Sequence, residues 1–208
     1  MKKLLLLPLI TLAFSCGAPS EKTSEVAELP ILGERYVDDN QDTVYHSIAD
    51  FAFVNQLGDT IRKEDMAGKI YVADFFFTTC PTICPVMKKE MLRVYEQFKG
   101  EGNFRILSHS IDPTHDTQAV LKDYAEKLGV PDAATWNFLT GDQEKIFEIG
   151  QTSYLTTTMA DELEPGGFLH SGAFLLVDQQ GRIRGVYDGT KTEQVDRLLA
   201  DIPKLLKP

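Results

Sequence analysis

The chain has 208 residues, with 31 Asp and Glu against 21 Lys and Arg for a formal net charge of −10, 43% hydrophobic residues and three cysteines. That describes one ordinary domain with some extra length, and the cysteines are too few for a disulfide-stapled scaffold. An acidic balance without any long basic stripe excludes a nucleic-acid footprint, because phosphate binding needs clustered Lys and Arg.

Met1-Lys2-Lys3 precedes a run of Leu, Ile, Ala and Phe that is too short to span a bilayer as a mature helix. It predicts a signal peptide over residues 1–15. The run ends at Ser15-Cys16-Gly17, which looks like the lipobox at which bacterial lipoproteins are cleaved and lipidated, here on Cys16. Loss of residues 1–15 would remove two lysines and no acids, bringing the net charge to −12. Residues 16–45 are rich in Ser, Glu, Pro and Ala with no sustained apolar period, so they are expected to form a flexible tether. The domain, over 46–208, would then sit at the extracytoplasmic (periplasmic) face of a bacterial envelope, anchored to the membrane by lipid, in an oxidising compartment.

Regular patterning begins near residue 50, where residues 51–54 and a turn at 55–59 predict a small hairpin added at the N-terminal side of the domain. Residues 70–77 form an apolar, β-prone run of the length of a central strand buried on both faces. Pro85 suits the first turn of a following helix, whose buried stripe is Met87, Met91, Val94 and Phe98. Next come a strand at 104–107, a helix burying Leu121, Tyr124, Ala125 and Leu128, and a strand near 136–139. Residues 152–169 read as a long irregular stretch of the kind that forms lids or partner surfaces. A hairpin over 173–177 and 182–187 follows, and a last helix opening on a capping box, Thr190-x-x-Glu193. Strands alternating with helices and ending in an antiparallel pair give an α/β fold: a central mixed sheet flanked by helices.

The chemistry concentrates at Phe77-Thr78-Thr79-Cys80-Pro81-Thr82-Ile83-Cys84-Pro85, two cysteines at the junction of a buried strand and a helix start. A helix N-terminus offers unpaired N–H groups and a partial positive charge, and both favour thiolate over thiol. Two soft sulfur donors suit Cu(I) better than a hard cation, especially with an imidazole as third donor. A closed structural zinc site would want a second Cys/His pair at short spacing, which this chain lacks. The same two cysteines can also form a redox disulfide, one attacking a partner disulfide and the other resolving it. Asp74 is a carboxylate inside the apolar strand, six residues before Cys80. It is a candidate proton relay to a thiol, and the alternative is an aspartate satisfied by backbone donors.

Thr79-Cys80-Pro81-x-x-Cys84-Pro85, Ser110-Ile111-Asp112-Pro113 followed by Asp116-Thr117, and His170-Ser171 leading into a strand together resemble the SCO/SenC family of copper proteins. The resemblance runs from about residue 51 to the C-terminus. It implies a thioredoxin-like fold and copper, as Cu(I) or Cu(II), held by Cys80, Cys84 and His170. It also implies a role in assembling the dinuclear copper centre of cytochrome c oxidase. The implied partners are the copper-binding subunit of that oxidase and a thiol reductant or upstream copper donor. The chain departs from the family pattern at Leu169, where an aspartate often precedes the histidine. His46, His109 and His115 are expected to be surface or packing residues, and Met159 a loop methionine packed on the domain. The competing activity is a membrane-tethered thiol–disulfide oxidoreductase that keeps the oxidase's copper-site cysteines reduced. A peroxiredoxin is excluded, because its loop needs a proline and a threonine where this chain has Ala73 and Phe77.

Overall fold

The computed structural model describes residues 28–206. Its frame is a five-stranded sheet. Strand β5 (Ile70–Phe76) lies at the centre because every residue in it is buried, as a run apolar on both faces requires. It pairs in parallel with β6 (Phe104–Ser110), which pairs in parallel with β7 (Trp136–Leu139). On its other side β10 (Ala173–Val177) runs antiparallel to both β5 and β11 (Ile183–Asp188). This is the mixed sheet expected, with β6 three residues longer than its apolar core, because it continues through the buried polar run Ser108, His109 and Ser110.

Alternation along β5 sorts the two faces. Asp74 and Phe76 face helix α1 (Cys84–Phe98) and helix α2 (Gln118–Lys127), sharing a narrow cavity with Met87, Met91 and Tyr124. Phe75 and its neighbour on β6, His109, face the opposite way, against Phe53 and Tyr154. The predicted stripe of α1 is buried as expected, and the hairpin at its predicted place is β3 (Ala52–Val54) with β4 (Thr60–Arg62). Helix α4 (Thr192–Leu206) packs beside α1, its Thr192 hydroxyl donating to the buried Glu90. The expected capping box is absent, since the Thr190 hydroxyl donates to Asp188 and the helix starts two residues later.

Two regions differ from the reading of the sequence. Part of the stretch assigned to a tether belongs to the folded body: β1 (Arg35–Val37) and β2 (Thr43–Tyr45) form a hairpin, and Leu29 and Leu32 pack against the core. Arg184 secures this segment by donating to the carbonyls of Leu29 and Pro30 while pairing with the buried Asp178 at 2.9 Å. Two leucines and one arginine partner more than a hundred residues away carry too little periodicity to be read locally. Residues 1–27, with the signal peptide and Cys16, lie outside the described residues. The second difference is at 152–169, which is more regular than expected. Helix α3 (Gln143–Glu148) runs into a turn of π-helix (Ile149–Ser153), and a separate hairpin follows, β8 (Thr158–Ala160) with β9 (Phe168–His170). Strands of three residues are too short to show a period of two.

Candidate metal centre

Strand β5 ends at Phe76, and the chain turns through Phe77, Thr78 and Thr79 so that Cys80 arrives over the start of α1. The Cys80 N–H donates to the Phe77 carbonyl, closing the turn. Cys84 is the first residue of α1, with Pro85 directly after it, so its sulfur sits where the helix has unpaired N–H groups. Both cysteines are free thiols and both are buried.

His170 reaches them from the hairpin. Its Nε2 lies 3.3 Å from Cys84 Sγ and 3.9 Å from Cys80 Sγ, and the three donor atoms all fall within 4.8 Å of one another. An ion with metal–sulfur distances of about 2.3 Å sees trigonal donors about 4 Å apart, so the cluster has the dimensions of a three-donor site. His170 Nδ1 donates to the Ser171 carbonyl at 3.2 Å, which fixes the ring and leaves the Nε2 lone pair facing the sulfurs. Burial holds the imidazole below its ordinary pKa, and therefore neutral, the form that ligates a metal.

The two thiols differ. Burial opposes ionisation of Cys80, but hydrogen bonds from the Cys84 thiol, from the backbone N–H groups of Thr82 and Cys84 and from the Thr82 hydroxyl outweigh it, drawing Cys80 below the usual thiol range. Burial raises Cys84, and its role as donor toward Cys80 raises it further. Cys80 is therefore the readier nucleophile and the first thiolate to form.

Strand alternation explains the histidine's seat. Thr158 and His170 are opposite one another in register, as are Met159 and Leu169 on the other face. Phe168 and His170 both rest edge-on against Phe77, at 5.3 and 5.9 Å between ring centroids. Leu169 points away, so an aspartate there would not face the sulfurs, and the Ser171 carbonyl supplies the imidazole's hydrogen bond instead. Met159 is on that outer face too and is exposed, neither a third sulfur donor nor a packing residue. At the hairpin tip Gly166 has φ +96°, and a Cβ there would come within 2.8 Å of the Phe77 ring and 3.4 Å of Pro81. Only glycine lets the hairpin lie this close to the cysteine turn.

Asp74 is buried, and it accepts a 2.5 Å hydrogen bond from the Ser108 hydroxyl, which accepts one of 2.8 Å from the Trp136 indole N–H. It is thus satisfied by a side-chain chain across three strands, not by backbone donors. Burial pushes its pKa up to about 7, with Ser108 partly offsetting this, and Asp74 lines the same narrow cavity as Cys84.

The residue that sequence reasoning passed over is Asp116. Fully buried, it accepts from the Thr78 N–H at 3.0 Å, from the Thr78 hydroxyl and from the Ser110 hydroxyl at 2.5 Å. It therefore ties the cysteine turn, two residues before Cys80, to the end of β6. The signal was present in the Ser110-to-Asp116 motif, whose turn carries no ligand and serves to hold one. His46 Nε2 donates to the Ser153 carbonyl at 2.7 Å, a structural contact, and His115 is exposed. His109 is fully buried among Phe51, Phe53, Phe75 and Tyr154, a packing residue as expected.

A family model described as SCO1/SenC matches residues 39–207. The SCO1 protein homolog of Bacillus subtilis (strain 168) is 32% identical over 164 residues, 78% of this chain and 84% of the relative. The crystal structure of a SCO1/SenC family lipoprotein from Bacillus anthracis superposes with a TM-score of 0.70 at 30% identity, covering 78% of this chain and 96% of that one. BsSco, described as a member of the Sco family of cytochrome c oxidase assembly proteins with a disulfide switch, superposes at 0.68 with 31% identity, covering 77% and 94%. ScoI of Bradyrhizobium japonicum with copper bound, at 23% identity and a TM-score of 0.60 over 77% and 99%, shares the thioredoxin-like fold. The chain belongs to the SCO1/SenC family.

Proposed function

We propose that this protein is a copper metallochaperone that holds copper through Cys80, Cys84 and His170 and delivers it to the dinuclear copper centre of cytochrome c oxidase during assembly. The observation that carries this is the meeting of two free thiols and one neutral imidazole within 4.8 Å. Two soft sulfurs and a nitrogen prefer Cu(I), and three donors leave a coordination position through which a client's ligands can enter. Copper binding deprotonates the thiols, and the low-lying Cys80 thiol lowers the cost of the first ionisation. The likeness to BsSco, itself described as an oxidase assembly protein, supports the client assignment. A signal peptide over 1–15, lipid on Cys16 and a place on the periplasmic face of the envelope complete the reading, which the lipoprotein relative from Bacillus anthracis supports. The test is transfer: the Cu(I)-loaded full chain should give up its metal to the apo copper-binding domain of a cytochrome c oxidase subunit, and retention of all copper by the loaded chain would overturn the proposal.

A second reading has one specific observation behind it, the placement of Asp74 in the cavity that Cys84 lines. In that reading the dithiol reduces the client's cysteines before metal arrives, and Asp74 relays the proton of Cys84. Asp74→Asn should then slow thiol exchange without removing copper. Equal exchange rates would leave Asp74 with a structural part alone.

A further inference from the structure

The hairpin that brings His170 to the cysteines has two faces, and only the inner one is explained by the metal centre. Phe168 and His170 rest on Phe77, while Met159 and Leu169, an opposed pair, face outward. Met159 is 45% exposed, and Leu163 at the tip is 94% exposed, the highest value for any large apolar side chain among the described residues. Isolated apolar residues on a surface mean little, but these share one hairpin directly above the donors. The tip is internally hydrogen-bonded: the Asp161 N–H donates to the Gly167 carbonyl, the Gly167 N–H to the Glu164 carbonyl, and the Asp161 carboxylate accepts from the Leu163 N–H at 3.0 Å. Leu163 is thus held out by structure.

Charge gives the occupant's chemistry. Asp161, Glu162 and Glu164 form no ion pair among the described residues, and they place three carboxylates within four positions at the hairpin tip. No Lys or Arg occurs between Lys145 and Arg182, and residues 75–87, which include both cysteines, carry no charged side chain. Within these two segments every formal charge is therefore negative.

We propose that the outer face and tip of the β8–β9 hairpin, built from Met159, Leu169 and Leu163 with the carboxylates of Asp161, Glu162 and Glu164, dock the copper-receiving protein, which meets them with basic and apolar side chains. This rests on the chaperone reading and adds how that chaperone recognises its client. The apolar residues contribute to the lifetime of the complex, and the unpaired carboxylates to the rate at which it forms. Because the same hairpin holds His170, docking takes place on the element whose displacement would free one of the three donors.

The experiment measures association of the Cu(I)-loaded full chain with the soluble apo copper-binding domain of a cytochrome c oxidase subunit, at about 20 mM and about 300 mM salt. The variants are Glu162→Lys with Glu164→Lys, and Leu163→Ser. Copper per chain and melting temperature should match the parent in both, since none of these side chains touches the donors. The charge reversal should slow association about tenfold at low salt and much less at high salt. Leu163→Ser should weaken the complex about tenfold at either salt. A parent that binds the client while both variants bind equally well would overturn the docking surface and leave the chaperone reading standing. Variants that change only self-association would assign the surface to a second copy and overturn the client assignment. A parent that neither binds nor loads the client would remove both the docking surface and the reading beneath it.

Discussion

The cysteine turn and the histidine hairpin contribute to one centre from opposite mechanical situations. The turn hangs from β5, which is paired on both sides, by β6 and by β10, and is braced a second time by Asp116. Among the described residues the hairpin pairs with no other strand; it rests on the cysteine turn through Phe168, His170 and Gly166, and on the helical segment 143–153 through Thr158, whose hydroxyl donates to the Phe147 carbonyl and whose carbonyl accepts from Gln151. Two donors are therefore fixed by the core and the third by a peripheral element. A structural metal site would anchor all its ligands alike. A site that must release its ion gains from one ligand whose withdrawal does not disturb the fold, because losing it lowers affinity while the dithiol keeps its place.

Substitutions at the anchored side should have the largest effects. Cys80→Ser and Cys84→Ser should each abolish retention of Cu(I) against a competing chelator, measured as copper per chain, because a hydroxyl does not replace a thiolate for a soft ion. On the hairpin side, His170→Ala should weaken copper binding by about 100-fold or more while oxidation of Cys80 and Cys84 to a disulfide proceeds as before. If oxidation were also blocked, the hairpin would be holding the turn in shape, and the contrast between the two regions would fail.

Asp116→Ala should loosen the cysteine turn without touching a donor. It removes the acceptor of the Thr78 N–H and of two hydroxyls, with an expected loss of about 2–3 kcal/mol in denaturant unfolding. Copper affinity should fall with it, because the turn loses its second brace. Unaltered stability would show that β5 alone positions the cysteines.

The pH dependence comes next. Asp74 is carried from an ordinary carboxylate value of 3.8 to about 7 by burial, so between those values the folded state binds a proton that the unfolded state does not. The contribution of Asp74 to stability should then be greatest at the acid end and decline as pH rises toward 7, by up to about 1.4 kcal/mol per pH unit. Asp74→Asn should flatten that slope in chemical unfolding of the copper-free chain. The smallest effect expected is that of Gly166→Ala, where the new methyl group meets the Phe77 ring and the φ of +96° is strained. It should raise the copper dissociation rate a few-fold, through His170, and leave the sheet unaffected.

What could be read in the sequence follows the same division. The anchored half was legible: a run of buried residues at 70–77, a helix start at Pro85 and the spacing of Cys80 and Cys84 all report local physics. The hairpin half was not, because β8 and β9 are three residues each and their pairing depends on Phe168 and Gly166 meeting Phe77 across the chain. His170 was recognisable as a donor through family resemblance, but its place at the end of β9 was not, and neither was the outward direction of Leu169. The tether ran too far for a similar reason, as Leu29, Leu32 and Arg184 meet only in three dimensions.

The most direct test of a three-donor copper centre is copper per chain after anaerobic loading of the reduced full chain with Cu(I) and removal of loosely held metal, with Cys80→Ser and His170→Ala beside it. One copper is expected in the parent, almost none in Cys80→Ser and a sharply reduced, readily lost fraction in His170→Ala. Equal copper in the parent and His170→Ala would contradict such a centre, since the hairpin would then hold no ligand at all.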